Sequence, residues 1–119
     1  MDLDSPGGAD RGGMNNGVGT LEFHPRLWAE PERVLGELKA RGLRVVSHEY
    51  PVLSPKSPAF SEATRLGYLV GYRGSSSSVM FNEGQQFLDF TRPEVGAWWW
   101  AQHQALVDSG VDGWWLLLW

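Results

Sequence analysis

The sequence contains no cysteine, which excludes both a disulfide framework and a thiolate metal site. Its three histidines, His24, His48 and His103, lack metal-site spacing, so no metal and no cofactor is expected. Basic residues are scarce as well: ten Lys and Arg against fourteen Asp and Glu leave a net charge of -4. With no basic patch to offset that balance, nucleic acid is set aside as a partner. Long apolar runs are missing too. The longest, Trp114 to Trp119, falls far short of the roughly 20 residues that cross a bilayer, so no membrane partner is expected. The start, Met1-Asp2-Leu3-Asp4-Ser5-Pro6, is acidic and soon Gly-rich, unlike the basic and then apolar start of a secretory signal. By default the chain is expected to be cytoplasmic.

What is present suits one modest core. Of 119 residues 42% are hydrophobic and 13% aromatic, a folded rather than a disordered composition, although 15 glycines dilute it. At 119 residues the chain is long enough for one small domain, but an α/β barrel needs roughly 250 and could not close here.

Residues 7–19 hold six glycines and two asparagines without periodicity and read as a flexible loop. A helix is expected from 31 to 41. Pro31 and Glu32 suit its first turn, Val34, Leu35 and Leu38 form the apolar stripe, and Gly42 stops it. Leu43 to His48 reads as a strand ended by Pro51. Pro58 opens a short helix carrying Phe60, Ala63 and Leu66, with Gly67 as its stop. Residues 71–86, polar and Gly/Ser-rich, form a second expected flexible loop. Thr91-Arg92-Pro93-Glu94 has the form of a capping box ahead of a helix from 93 to 108. The buried face of that helix uses Val95, Trp98 or Trp99, Gln102 or Ala101, and Leu106, while Gln104 and Asp108 face water. Val111 to Trp119 then reads as a strand covered on both faces.

A helix opened by Pro-Glu, stopped by Gly and feeding an apolar strand occurs twice, from Pro31 and again from Pro93. This is the repeat of a parallel α/β fold, and the pattern alone leaves a barrel and an open doubly wound sheet both possible. A dinucleotide-binding half domain lacks its Gly-rich turn, because Gly12-Gly13 precedes no helix at the required distance.

Four stretches occur in a meaningful order: Leu3-Asp4-Ser5-Pro6; Leu21-Glu22-Phe23-His24-Pro25 leading into the helix that ends at Gly42; Ser54-Pro55-Lys56-Ser57-Pro58; and Asp89-Phe90-Thr91-Arg92-Pro93-Glu94 leading to Gly110-Val111-Asp112-Gly113-Trp114. In order and spacing they resemble the catalytic barrel of glycoside hydrolase family 31, the α-glucosidases and α-xylosidases. The resemblance implies a partial (β/α)8 TIM barrel of about three strands with their helices, its site residues at strand C-terminal ends. It also implies an α-linked oligosaccharide or glycoside as the parent's partner. Asp4 matches a strand-end aspartate that bonds sugar hydroxyls, a task for which a carboxylate is suited because it accepts two protons in fixed directions. His48 falls where the family often has a tryptophan lining the sugar pocket. With Glu49 beside it, the alternative reading is a local hydrogen-bonded pair or an exposed one.

The family places its aspartate nucleophile two residues beyond a segment similar to Gly110–Trp115, and Leu117 stands there. Retaining glycosidases need two carboxyl groups about 5 to 5.5 Å apart, and the acid/base residue lies on a later strand. The resemblance thus implies a glycosidase fragment with no catalytic residue of its own. The alternatives are a non-catalytic carbohydrate-binding module or a structural α/β module. Asp112 and Asp89 read as structural, the latter ordering the start of the third helix. Tryptophans 98–100, 114, 115 and 119 read as packing residues. A piece of barrel leaves open edges and uncovered faces, so self-association is expected.

Overall fold

The computed structural model describes residues 19–70 and 85–116. Residues 1–6, the loop at 7–18 and positions 71–84 of the second loop lie outside the described residues. The elements run α1 (Pro31–Ala40), β1 (Val46–Glu49), β2 (Val52–Leu53), α2 (Phe60–Leu66), β3 (Gln86–Phe87), α3 (Pro93–Gln102), α4 (Gln104–Ser109) and β4 (Gly113–Leu116). β1 and β4 pair in parallel, with Val46 opposite Gly113 and Glu49 opposite Leu116. This is the partial α/β architecture that the repeat implied. A second, antiparallel pair of β2 and β3, extended by a bridge between Leu69 and Leu88, was not expected from the sequence. It lies in the long connection between the parallel strands. Gln86, expected in a loop, opens β3, and Gln85 before it is buried.

α1 begins at Pro31, whose missing N–H costs nothing in a first turn. Exposed Arg33 bridges Glu30 and Glu37. α1, α2 and α4 all end on a glycine with positive φ, and the following amide reaches back to the last turn: Leu43 N–H donates to Leu38 O, Tyr68 to Ala63 O and Val111 to Leu106 O.

Two apolar clusters form. In one, Leu35, Leu106 and Val111 pack with Phe23, Trp28, Leu38, Val45 and Trp114, joining α1, α4 and the parallel strands. In the other, Leu21, Leu53, Ala63, Leu88 and Val95 pack with Phe60, Tyr68, Trp98 and Trp99. Val95 and Leu106 are thus buried as expected, and Gln104 and Asp108 face water, bonded to each other at 2.7 Å.

The helix expected over 93–108 is two helices, interrupted at His103. In an unbroken helix the His103 N–H would donate to the carbonyl of Trp99. Here the side-chain Nδ1 lies 2.7 Å from that oxygen, and the backbone N–H donates to Trp100 O instead, at 3.0 Å. A side chain that takes its own i-4 carbonyl displaces the backbone ladder. The capping box at the start of α3 is not formed either. The N-cap is Arg92, without a side-chain cap, and Glu94 accepts from the Arg92 guanidinium at 2.9 Å. Asp89 orders this turn by accepting from the Thr91 amide and hydroxyl.

Candidate functional site

The candidate site lies at the C-terminal end of β1, where alternation along the strand sends neighbouring side chains to opposite faces. His48 points to one face. Its ring lies 4.9 Å from that of Trp115, its ladder partner, and 4.9 Å from that of Tyr50. His48 and Tyr50 are buried, whereas Trp115 is 56% exposed. The three rings form an aromatic cluster of which Trp115 alone presents an open face.

Glu49 points to the other face, into the helical layer, and here the expectation of a local His48–Glu49 pair or an exposed one is corrected. Both residues are buried, at 4% and 3%, and the partner of Glu49 is His103, whose Nε2 lies 2.7 Å from Glu49 Oε2. His103 was not singled out from the sequence as a site residue. Its signal was its position four residues after Trp99 and three before Leu106, on the apolar stripe, where a titratable ring needs a polar partner.

The protonation of the pair follows from its neighbours. The Trp99 carbonyl can only accept, so Nδ1 of His103 carries a proton. The contact between Nε2 and Glu49 then holds one further proton, as imidazolium and carboxylate or as imidazole and carboxylic acid. Burial pushes the Glu49 carboxyl up, against the opposing pull of His103 and His48. Burial disfavours the His103 imidazolium, but its hydrogen bond to Glu49, the Glu49 charge and the Trp99 carbonyl together outweigh this and raise its pKa. Both shifts mean that the folded pair holds its protons more tightly than the separate groups do.

Aromatic rings enclose His103. Trp99 lies 4.3 Å away, Trp114 5.1 Å and Trp100 5.9 Å between centroids. This corresponds to the packing role expected for Trp99 and Trp114, whereas Trp100 keeps 53% of its surface exposed.

Asp112 is a clamp between the two parallel strands. Its carboxylate accepts from the Val45 amide at 2.9 Å and from Arg44 at 3.1 Å, with Lys39 at 3.3 Å. The Asp112 amide donates to Val45 O at 2.8 Å. The Val45 N–H, with the two cations, holds the Asp112 carboxyl below its ordinary range. β1 starts at Val46 rather than at the expected Leu43, and the Asp112 carboxylate takes the Val45 N–H just before it.

Of the residues singled out from the sequence, Asp4 and Leu117 lie outside the described residues, and His48 is buried in the aromatic cluster. Among the described residues, no group of three or more His, Asp or Glu could hold a metal ion, and no helix is long and apolar enough to cross a membrane.

Comparison with known proteins gives a consistent picture. Residues 7–116 match the TIM-barrel domain of the glycosyl hydrolases of family 31. The α-xylosidase XylQ of Lactiplantibacillus pentosus is 33% identical over 95 residues, 78% of this chain and 12% of its own length. An uncharacterized family 31 glucosidase of Pseudescherichia vulneris is 29% identical over 100 residues, 82% of this chain and 19% of its own. Among solved structures, the family 31 dextranase of Flavobacterium johnsoniae, a variant complexed with isomaltotriose, superposes with a TM-score of 0.76 at 28% identity, covering 87% of this chain and 13% of the dextranase. An α-xylosidase from a soil metagenome, complexed with xylose, gives a TM-score of 0.74 at 26% identity, covering 82% of this chain and 15% of its own. The chain therefore spans less than a fifth of the length of these relatives.

Proposed function

Since the chain belongs to glycosyl hydrolase family 31, as part of its TIM-barrel domain, we propose that residues 1–119 act as one partial domain carrying a sugar-facing wall of a retaining α-glycosidase barrel, without hydrolytic activity of its own. The observation that carries this reading is the orientation of the strand-end carboxylate. Glu49 is turned into the helical layer and held by His103, leaving His48, Tyr50 and Trp115 to form the opposite face. An aromatic face suits stacking on an α-linked sugar, with Asp4 as the hydroxyl-binding carboxylate and His48 as part of the wall. Leu117, at the nucleophile position, can neither attack an anomeric carbon nor stabilise the positive charge that develops there.

The test is hydrolysis of chromogenic α-glucoside and α-xyloside substrates. It compares the chain with a version extended through the remaining barrel strands and carrying Leu117→Asp. The expected outcome is activity in the extended, substituted version alone. Turnover by the 119-residue chain would overturn the assignment of Leu117, and inactivity of both would remove the functional support for the glycosidase reading.

A second reading, a non-catalytic carbohydrate-binding module, is favoured by one observation: Trp115 is 56% exposed although it lies in a strand. Val46, Trp100, Trp115 and Leu116 also expose much of their apolar surface. We propose that these residues drive self-association of the chain.

A further inference from the structure

A pocket of about 200 Å³ opens between the segment leading into α1, the loop that precedes α2, and the α3–α4 helices. It shares no residue with the His48, Tyr50 and Trp115 surface. Thr20, Leu21 and Glu22 form one wall, Ser57 and Ala59 a second, and Gln102 a third. Thr20 and Ser57 are buried, at 1% and 5%, so their hydroxyls belong to the interior of the fold rather than to its surface.

The lining limits what can bind. Among the described residues no lysine or arginine contributes to it, so an anion finds no counter-charge there. Glu22 offers a carboxylate that accepts hydroxyl protons and Gln102 an amide that both donates and accepts, while Thr20 and Ser57 shape the floor behind them. Leu21 and Ala59 supply apolar surface between these groups. A ring with hydroxyls around its edge and C–H groups on its faces matches that mixture. The volume lies below the roughly 300 to 1,000 Å³ of sites for drug-sized ligands and suits one such ring.

A second, independent feature lies in the same wall. Leu21 has φ 60°, the left-handed region that a branched side chain rarely adopts. Two residues earlier, Gly19 has φ 73°, and a Cβ there would lie 2.8 Å from the Val52 carbonyl oxygen. The Ser54 amide donates to Gly19 O at 2.8 Å and fixes this close approach. Strained backbone persists only where its surroundings enforce it, and it concentrates at ligand-binding sites.

We infer that this pocket is a second carbohydrate site, which takes a single neutral sugar ring and is separate from the strand-end surface. Its occupancy does not depend on the glycosidase reading.

The experiment is an amide NMR titration of the chain with D-xylose and with D-glucose, repeated on Glu22→Gln, Gln102→Leu and Ala105→Trp. Ala105 is an exposed residue at the pocket rim, so a tryptophan there fills the opening without entering either apolar cluster, and melting curves verify that each variant is folded. The expected result is saturable shifts at Thr20, Leu21, Ser57 and Ala59 with at least one sugar, weakened tenfold or more in Ala105→Trp and in one of the polar variants. Shifts confined to His48, Tyr50 and Trp115 would overturn this inference while supporting the strand-end reading. The absence of shifts at the pocket, or affinity unchanged in all three variants, would overturn it as well.

Discussion

Replacing His103 with leucine leaves the Glu49 carboxyl buried, at 3% exposure, without the partner it has at 2.7 Å. Breaking a buried ion pair on one side costs about 3 to 5 kcal/mol, because the remaining charge has neither water nor a counter-ion. Against the roughly 5 to 15 kcal/mol that stabilises a typical domain, this is a large fraction. Glu49→Gln is the informative contrast, since an amide N–H can donate to the unprotonated Nε2 of His103 and leaves no charge. It should cost much less than His103→Leu.

The pH dependence follows from the direction of the two shifts. His103 is raised above its ordinary 6.5, so its contribution is complete below that value and is lost as pH rises through the raised one. Glu49 is raised above 4.5, so the folded state also favours its protonated form. Where the folded pair holds a proton that the unfolded chain has released, stability falls with pH by up to about 1.4 kcal/mol per unit. The titratable neighbour acting on the pair is His48, whose charge opposes the rise at Glu49.

Urea unfolding followed by tryptophan emission at pH 6 and pH 8 measures both effects. The parent chain should lose stability between the two pH values, whereas Glu49→Gln should lose less. His103→Leu should be the least stable at pH 8 and partly recover at lower pH as Glu49 protonates. If His103→Leu matches the parent at both pH values, or Glu49→Gln keeps the parent's full pH dependence, the argument that the pair stores a proton is refuted.

Gly110→Ala should destabilise by about 2 kcal/mol in chemical denaturation, since φ 114° is closed to alanine at modest cost and its Cβ would meet Leu35 Cβ at 3.2 Å. Asp112→Asn should remove an acid-side dependence: the Asp112 carboxyl is held below its ordinary 3.8, so its contribution is present above that value and lost as pH falls through the lowered one. Melting temperatures measured from pH 2 to pH 6 should therefore converge for parent and variant at the acid end. Trp115→Ser, at an exposed site, should shift the chain toward monomer in sedimentation velocity with little change in melting temperature; an unchanged distribution would remove Trp115 from the association surface.

The helices were legible in the sequence because their punctuation is local. Pro31, Gly42, Gly67, Pro93 and Gly110 each act within a turn of their own position, and each marks a helix end in the structure. The antiparallel pair was not legible, because Val52–Leu53 and Gln86–Phe87 are too short to show alternation and find each other across a long separation. The break at His103 was hidden for a different reason. Periodicity places Val95 and Leu106 on one stripe, and nothing in that pattern reports a ring nitrogen competing for the Trp99 carbonyl. The same contact concealed the site's polar half, because a reading of neighbouring residues couples Glu49 to His48 and alternation places them on opposite faces. Asp112 was read as structural, and its bonds to Val45, Arg44 and Lys39 give that role a physical content.

The clamp between Val45 and Asp112 joins residues 67 positions apart, and this separation sets an order on folding. Closing a loop of that length costs roughly 4 kcal/mol of chain entropy before any ladder bond is gained. Pairing of β1 with β4 is therefore expected to follow the formation of local structure. Helices α1 and α2, whose bonds span a few residues, and the turn ordered by Asp89 can form without that closure. Asp112 then acts as a latch on structure already in place, and its removal should accelerate unfolding more than it slows folding.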